Sequence, residues 1–159
     1  MKSAQKAEKK AARTEERRGG TREMLDKLIA ERTDMLALYC RLAGLKSYDD
    51  ERQRTSAREM LQQFCQLLVD YIAACHFGIY ERIASGNERR REIAKLAEDL
   101  YPRIAQTTAS ALEFNDKYDT IEGYELTASF GPDLSRLGEE LARRIELEDQ
   151  LISRMLTRS

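Results

Sequence analysis

Between positions 24 and 42 the apolar residues fall three or four apart: Met24, Leu25, Leu28, Ile29, Met35, Leu36, Leu38, Tyr39 and Leu42. That interval stacks side chains on one face of a helix, so a first long helix is expected over about 21–43. Arg32 takes the step between Ile29 and Met35. Gly44 is placed to close the helix in a left-handed conformation. A polar connector, about 46–51, leads to a second helix over about 52–84, expected to be the longest. Its main stripe is Met60, Leu61, Phe64, Leu67, Leu68, Tyr71, Ile72, Cys75, Ile79 and Ile83. A second stripe beside it holds Val69, Ala73, His76, Phe77 and Tyr80. So broad an apolar arc exceeds what one neighbouring helix covers; this helix is central, or it offers surface to a partner. Ser85-Gly86-Asn87 is a closing signal.

A third stripe, Ile93, Leu96, Leu100, Ile104, Ala111 and Phe114, predicts a helix over about 88–118. Pro102 lies inside it, removing a backbone donor and crowding the preceding turn. A kink near residues 100–101, or two helices in tandem, is expected there. Residues 119–130, with Gly123, read as a loop. Gly131-Pro132-Asp133 restarts a helix to about 157, with the stripe Leu134, Leu137, Leu141, Ile145, Leu151, Ile152 and Met155. Continuing the count from Leu141 and Ile145 lands on Glu148, and a carboxylate on a core stripe needs a partner. Four long helices on short connectors predict an all-α, antiparallel four-helix bundle with a kinked third helix.

Residues 1–18 are rich in Ala, Lys, Glu and Arg and have no apolar stripe, so a frayed or solvated arm is expected, ended by Gly19-Gly20. Thr21 is then the N-cap of the first bundle helix. The organisation expected is this basic arm, 1–18, and a single domain, 19–159. The arm carries seven basic and three acidic side chains, a net charge of +4. The whole chain is at −1, so the remaining residues are at −5. A nucleic-acid-binding domain is normally basic, and this acidic body suits a basic partner instead. The arm is either a solvated tail or a nonspecific contact for RNA, DNA or an acidic protein.

Chemistry is bounded by counts. Three cysteines, Cys40, Cys65 and Cys75, make no disulfide framework and fit a reducing cytoplasm as small packed hydrophobes. One histidine, His76, cannot supply the two that a di-iron carboxylate bundle takes. No C-x-x-C, phosphate-binding glycine loop or nucleophile elbow occurs, so no cofactor or metal and no catalytic residue is expected. The N-terminus lacks the apolar run of a secretory signal. The most apolar window, 64–83, carries Asp70 and His76 near its middle and reads as a buried helix rather than a membrane span.

Individual residues keep two readings each. His76 is a core-edge histidine bonded to Glu148 or Asp149, or else a metal ligand, a base or a partner contact. Glu148-Asp149 and Glu81-Arg82 form a salt-bridged interior that fixes helix register, against paired carboxylates for acid–base work. Asp70 is a solvated acid or a carboxylate facing a basic partner. Phe77 packs in the core or is an aromatic anchor for that partner.

Three strings carry a resemblance: Phe64-Cys65-Gln66-Leu67-Leu68-Val69-Asp70-Tyr71 with His76-Phe77-Gly78-Ile79-Tyr80-Glu81-Arg82-Ile83; Tyr101-Pro102-Arg103-Ile104 with Phe114-Asn115-Asp116-Lys117-Tyr118; and Asp133-Leu134-Ser135-Arg136-Leu137-Gly138-Glu139 with Leu147-Glu148-Asp149-Gln150-Leu151-Ile152. With Leu25-Asp26 and Glu31-Arg32, they resemble the Rsd/AlgQ family, regulators of sigma D, over about 20–157. The basic arm has no counterpart in that resemblance.

The resemblance implies a non-catalytic helical bundle that binds the C-terminal, −35-reading region of the housekeeping sigma factor. Binding would sequester that sigma factor from core RNA polymerase and favour alternative sigma factors in stationary phase. Further partners implied by it are the phosphocarrier HPr and a ppGpp synthetase/hydrolase. A promoter reader must be basic, which suits an acidic bundle with an over-wide apolar helix. The partner face expected is Met24, Leu25 and Asp26 on the first helix with Asp70, Ala73 and Phe77 on the second. His76, Tyr80, Glu81, Arg82, Glu148 and Asp149 are expected in a polar interior behind it. A small-molecule- or metal-binding bundle, and a nucleic-acid-associated protein acting through the arm, are the competing classes.

Overall fold

The computed structural model describes residues 2–44, 51–84, 90–120 and 128–157, with the backbone alone at 13–19, 51, 53, 54 and 84. Among the described residues there are helices and turns and no strand. The protein is all-α.

Helix α1 runs from Lys2 to Ala43 without interruption. The expected end at Gly19-Gly20, with Thr21 as a cap, does not occur; Thr21 is buried within the helix. Two glycines cost helix stability, about 1 kcal/mol each, but leave every backbone hydrogen bond in place. Good helix formers on both sides carry the helix through. At 42 residues α1, not the second helical run, is the longest. Its buried face is Leu25, Leu28, Met35, Leu38 and Leu42, which the three–four spacing marks.

The second run is helical over 51–84 but not uniformly so. Helix α2, Glu51–Cys75, passes into a π-helical turn, His76–Tyr80, and then into the short α3, Glu81–Ala84. The turn inserts a wider coil where the two apolar stripes meet, and such turns concentrate at functional sites. Gly78 sits in it. A Cβ there would lie 2.8 Å from Met24 Sδ, so the glycine lets α1 close on this turn. At the far end of the pair the Tyr39 and Phe64 rings lie 6.0 Å apart. As positions rise along α1 they fall along the second run, so the two are antiparallel.

Helix α4, Arg91–Tyr118, is a single helix through Pro102, so the tandem-helix alternative does not hold. Pro102 and Glu98, whose carbonyl loses its donor, are both exposed, and water replaces the missing bond. Helix α5, Phe130–Leu156, begins as the Gly131-Pro132-Asp133 signal predicts, with Pro132 in the first turn where its missing donor costs nothing. The ends of α4 and α5 are tied twice. Lys117 Nζ and Tyr118 Oη both donate to Asp133 Oδ2, at 2.7 and 2.5 Å. At the other end Arg90 donates to the carbonyls of Arg154, Met155 and Thr157, capping α5.

The four long elements pack as a closed ring: α1 on α2, α2 on α4, α4 on α5 and α5 on α1. A chain of rings, Tyr39, Phe64, Phe114, Tyr118 and Phe130, crosses all four at one level of the core. The connector at 46–51 and the Ser85-Gly86-Asn87 signal lie outside the described residues except Glu51, the first residue of α2, as does most of the loop around Gly123. No described helix is long and apolar enough to cross a membrane.

Candidate functional site

The core stripe of α5 places Glu148 in the interior at 0 % exposure, and the partners it requires are present. Tyr71 Oη on α2 donates to its Oε2 at 2.5 Å, and Arg144 Nε donates to its Oε1 at 2.7 Å. Arg32 on α1 adds a longer charge contact of 3.7 Å and donates to Asp149 Oδ1 at 2.8 Å. Arg144 completes the set by donating from Nη1 to Thr108 Oγ1 at 2.6 Å and to Thr107 Oγ1 at 3.2 Å on α4. One buried carboxylate and one buried guanidinium thereby join all four long helices. Burial opposes the charge on Arg144, but the electron-rich groups around it (the Cys75 thiol, Glu148 and Tyr71) hold its pKa above the usual value. Burial first, and Glu148 second, push the Tyr71 phenol up, so it stays a donor. Burial pulls on Arg32 too, and its bond to Asp149 together with the charges of Asp149, Tyr71 and Glu148 more than offsets that.

This interior differs from the expected one. Glu148 belongs to it, and Asp149 touches it from an exposed position through Arg32. Tyr80 and Arg82 are half-buried. His76 and Glu81 are exposed and do not join the carboxylates. Ile72 is already at the margin of the buried arc, and His76, one turn on, steps past it into solvent. There the imidazole meets rings instead: Phe77 at 5.1 Å and Tyr80 at 6.4 Å, with Tyr80 against Tyr101 at 5.0 Å. Arg144, Thr107 and Thr108 are the members that sequence reasoning left unassigned; Tyr71 and Arg32 it placed on their helix stripes without a polar partner. A signal existed for Arg144: it lies one turn before Glu148 and three residues after Leu141, on the core stripe.

The exposed face is on the π turn and the last turns of α2. Phe77 is 66 % exposed, which decides against core packing. Asp70 is exposed and held by Gln66, whose Nε2 donates to its Oδ1 at 2.9 Å; Ala73 is half-buried between the two. Spacings of three and four put Asp70, Ala73 and Phe77 on one face. Met24 joins them through its contact with Gly78. Leu25 does not: it is a core residue at 0 % exposure. Asp26 is exposed, but two residues turn it about 200° away from Met24 and hence from the π turn. The acid that α1 brings toward this face is Glu31, two helical turns from Met24 on the same side. It is half-buried, and its Oε2 is buried without a hydrogen-bond partner among the described residues.

Among the described residues no three side chains of metal-binding type gather. Cys65 and Cys75 are buried and Cys40 is exposed, all three as free thiols. Burial, above all, pushes the Cys65 and Cys75 thiols up to about 12.

Comparison with known proteins places these features in a family. A family model described as regulator of RNA polymerase sigma(70) subunit, Rsd/AlgQ, matches residues 8–156. The regulator of sigma D of Yersinia enterocolitica is 34% identical over 139 residues, covering 86% of this chain and 83% of that protein. The regulator of sigma D of Yersinia pseudotuberculosis (strain IP 31758) is 33% identical over the same length, 86% and 82% of the two chains. That of Shigella dysenteriae is 33% identical over 138 residues, 86% of each.

Proposed function

The chain belongs to the Rsd/AlgQ family of regulators of the RNA polymerase sigma(70) subunit, a family of regulators and not of enzymes, and on that premise we propose how this member works. It binds the C-terminal, −35-reading region of the housekeeping sigma factor in the cytoplasm. Binding withholds that sigma factor from core RNA polymerase, favouring alternative sigma factors in stationary phase. The mechanism is occlusion, with no bond made or broken. The scaffold is an antiparallel four-helix bundle bent at Pro102, a reading that the closed ring of helix contacts supports.

The observation that carries the proposal is Phe77, a phenylalanine left 66 % exposed in a π turn, two helical turns from the exposed Asp70 on the same face. An exposed aromatic on a rigid helix loses little side-chain entropy on docking and fills an apolar pocket. Asp70, exposed and fixed by Gln66, meets a sigma arginine or lysine. Met24 and Ala73 complete a face that is acidic at its rim and apolar at its centre. A promoter-reading helix-turn-helix is its complement, being basic by necessity. A specific complex of this kind buries about 1,200–2,000 Å². Nothing in the geometry selects HPr or a ppGpp synthetase/hydrolase as an additional partner.

Copurification with the isolated sigma C-terminal region is the test. The wild-type chain is expected to retain it, and Asp70→Arg to lose it with helicity unchanged by circular dichroism. Equal retention by Asp70→Arg and by Phe77→Ala refutes the assigned face.

A further inference from the structure

In the first three turns of α1 every described side chain, from Lys2 to Ala12, is exposed. Met24 is level with Gly78 and the second helical run ends at Ala84, six residues on. Antiparallel register therefore leaves residues 2–17 running past that end by roughly 24 Å. Charge on this extension is sorted by face. At about 100° per residue, Lys2, Lys6, Lys9 and Lys10 fall within one stripe about 100° wide. Positions 13 and 17, both arginine, fall on the same stripe by register. Glu8 and Glu15 lie on the opposite side, and Glu16 and Arg18 fall outside the stripe.

A solvated helix that carries charge for solubility interleaves its signs four residues apart. Here like charges recur at that interval, Lys2 with Lys6, Lys6 with Lys10, Lys9 with position 13, and 13 with 17. Glu8 has no Lys or Arg three or four residues away. Positive charge therefore accumulates along one side, and a polyanion laid along that side is its complement.

We propose that the basic stripe of the α1 extension binds the phosphate backbone of duplex nucleic acid without sequence preference. Length and charge agree with that occupant. A stripe from residue 2 to residue 17 rises about 22 Å, enough to follow about six phosphates of one strand. The opposite face of the extension is Ala and Glu, with no Leu, Phe or Trp, so it lacks the apolar side that inserts into a membrane surface. It lacks the aromatic or aliphatic anchors of a protein interface as well. The rest of the chain, at −5, repels phosphate and confines the contact to this extension. The inference stands apart from sigma binding, and Asp70→Arg is expected to leave it unchanged.

The test is fluorescence anisotropy of the full chain against a labelled duplex of arbitrary sequence. At about 50 mM salt binding is expected, with log affinity falling against log salt at a slope of about −5 for six phosphate contacts. The triple variant K2E/K6E/K9E is expected to lose at least about tenfold in affinity, since it removes three phosphate contacts and adds three repulsions. The control K95E/R103E/R143E makes the same change in net charge at exposed sites elsewhere and is expected to stay within about twofold. No duplex binding by wild type, an undiminished K2E/K6E/K9E, or an equal loss in both triples overturns the proposal. Binding of single-stranded RNA in place of duplex overturns it too.

Discussion

At the scale of single residues, stability and contact are carried by different side chains. Arg144 and Glu148 are both buried, so each is tolerable only with the other. Arg144→Met is expected to cost about 3–5 kcal/mol in urea unfolding, because Glu148 stays buried and loses the guanidinium paired with it. Tyr71→Phe removes one hydrogen bond to that carboxylate and is expected to cost about 1.5–3 kcal/mol. The thiols divide by burial in the same way. Cys40 is expected to react with a thiol reagent in the native protein at pH 8, and Cys65 and Cys75 only after unfolding. Native labelling of all three would contradict the packing described. Much of this was legible in the chain. The stripe that demanded a partner for Glu148 was visible; the identity of the partner was not, since spacing assigns a face and says nothing of what crosses to it. His76 went astray for a related reason: its place one turn from Ile72 and three residues from Ile79 marks the core side, yet the buried arc ends at Ile72.

Among the elements, the helices follow from periodicity and their irregularities from single residues. The spacing of Leu25, Leu28, Met35, Leu38 and Leu42 fixes the inner face of α1. It could not show that α1 continues through Gly19-Gly20, because two glycines weaken a helix without forbidding it. Gly20 is exposed, and an added Cβ meets nothing within 4 Å. Gly20→Ala is therefore expected to raise helicity by circular dichroism and stability by about 0.4–1 kcal/mol. Gly138 is the contrasting case. A Cβ there collides with the Tyr39 ring and hydroxyl, whose bond to the Leu134 carbonyl positions α1 on α5. Gly138→Ala is expected to destabilise by about 1–3 kcal/mol despite its better helix propensity. Equal effects at the two glycines would sink this reading of the α1–α5 contact. The π turn is the element that no periodic count reveals. It leaves Phe77 exposed, on the face proposed to meet the partner, while Gly78 stays tight against Met24.

For the whole molecule, charge divides the chain into a basic helical extension and an acidic body, and titration brackets its stability. Burial raises the Cys65 and Cys75 thiols to about 12. In the unfolded chain they ionise from about pH 9, so the native state binds more protons between those limits and stability falls as pH rises from 9 to 12. At the acid side Lys117 and Tyr118 hold Asp133 below its usual range. That contribution is present above about pH 4 and is lost as pH falls through the lowered value. Urea midpoints are expected to be flat near neutrality and to drop on both sides. A midpoint that climbs above pH 9 would contradict the burial of the thiols. The central claim concerns neither limit: the body covers a surface that another protein uses to read promoters. Its most direct measurement is promoter occupancy by RNA polymerase carrying the housekeeping sigma factor, followed as this chain is titrated in. The account predicts a saturable loss of occupancy with the wild-type chain and none with Asp70→Arg; occupancy unchanged by the wild-type chain at every dose would contradict it.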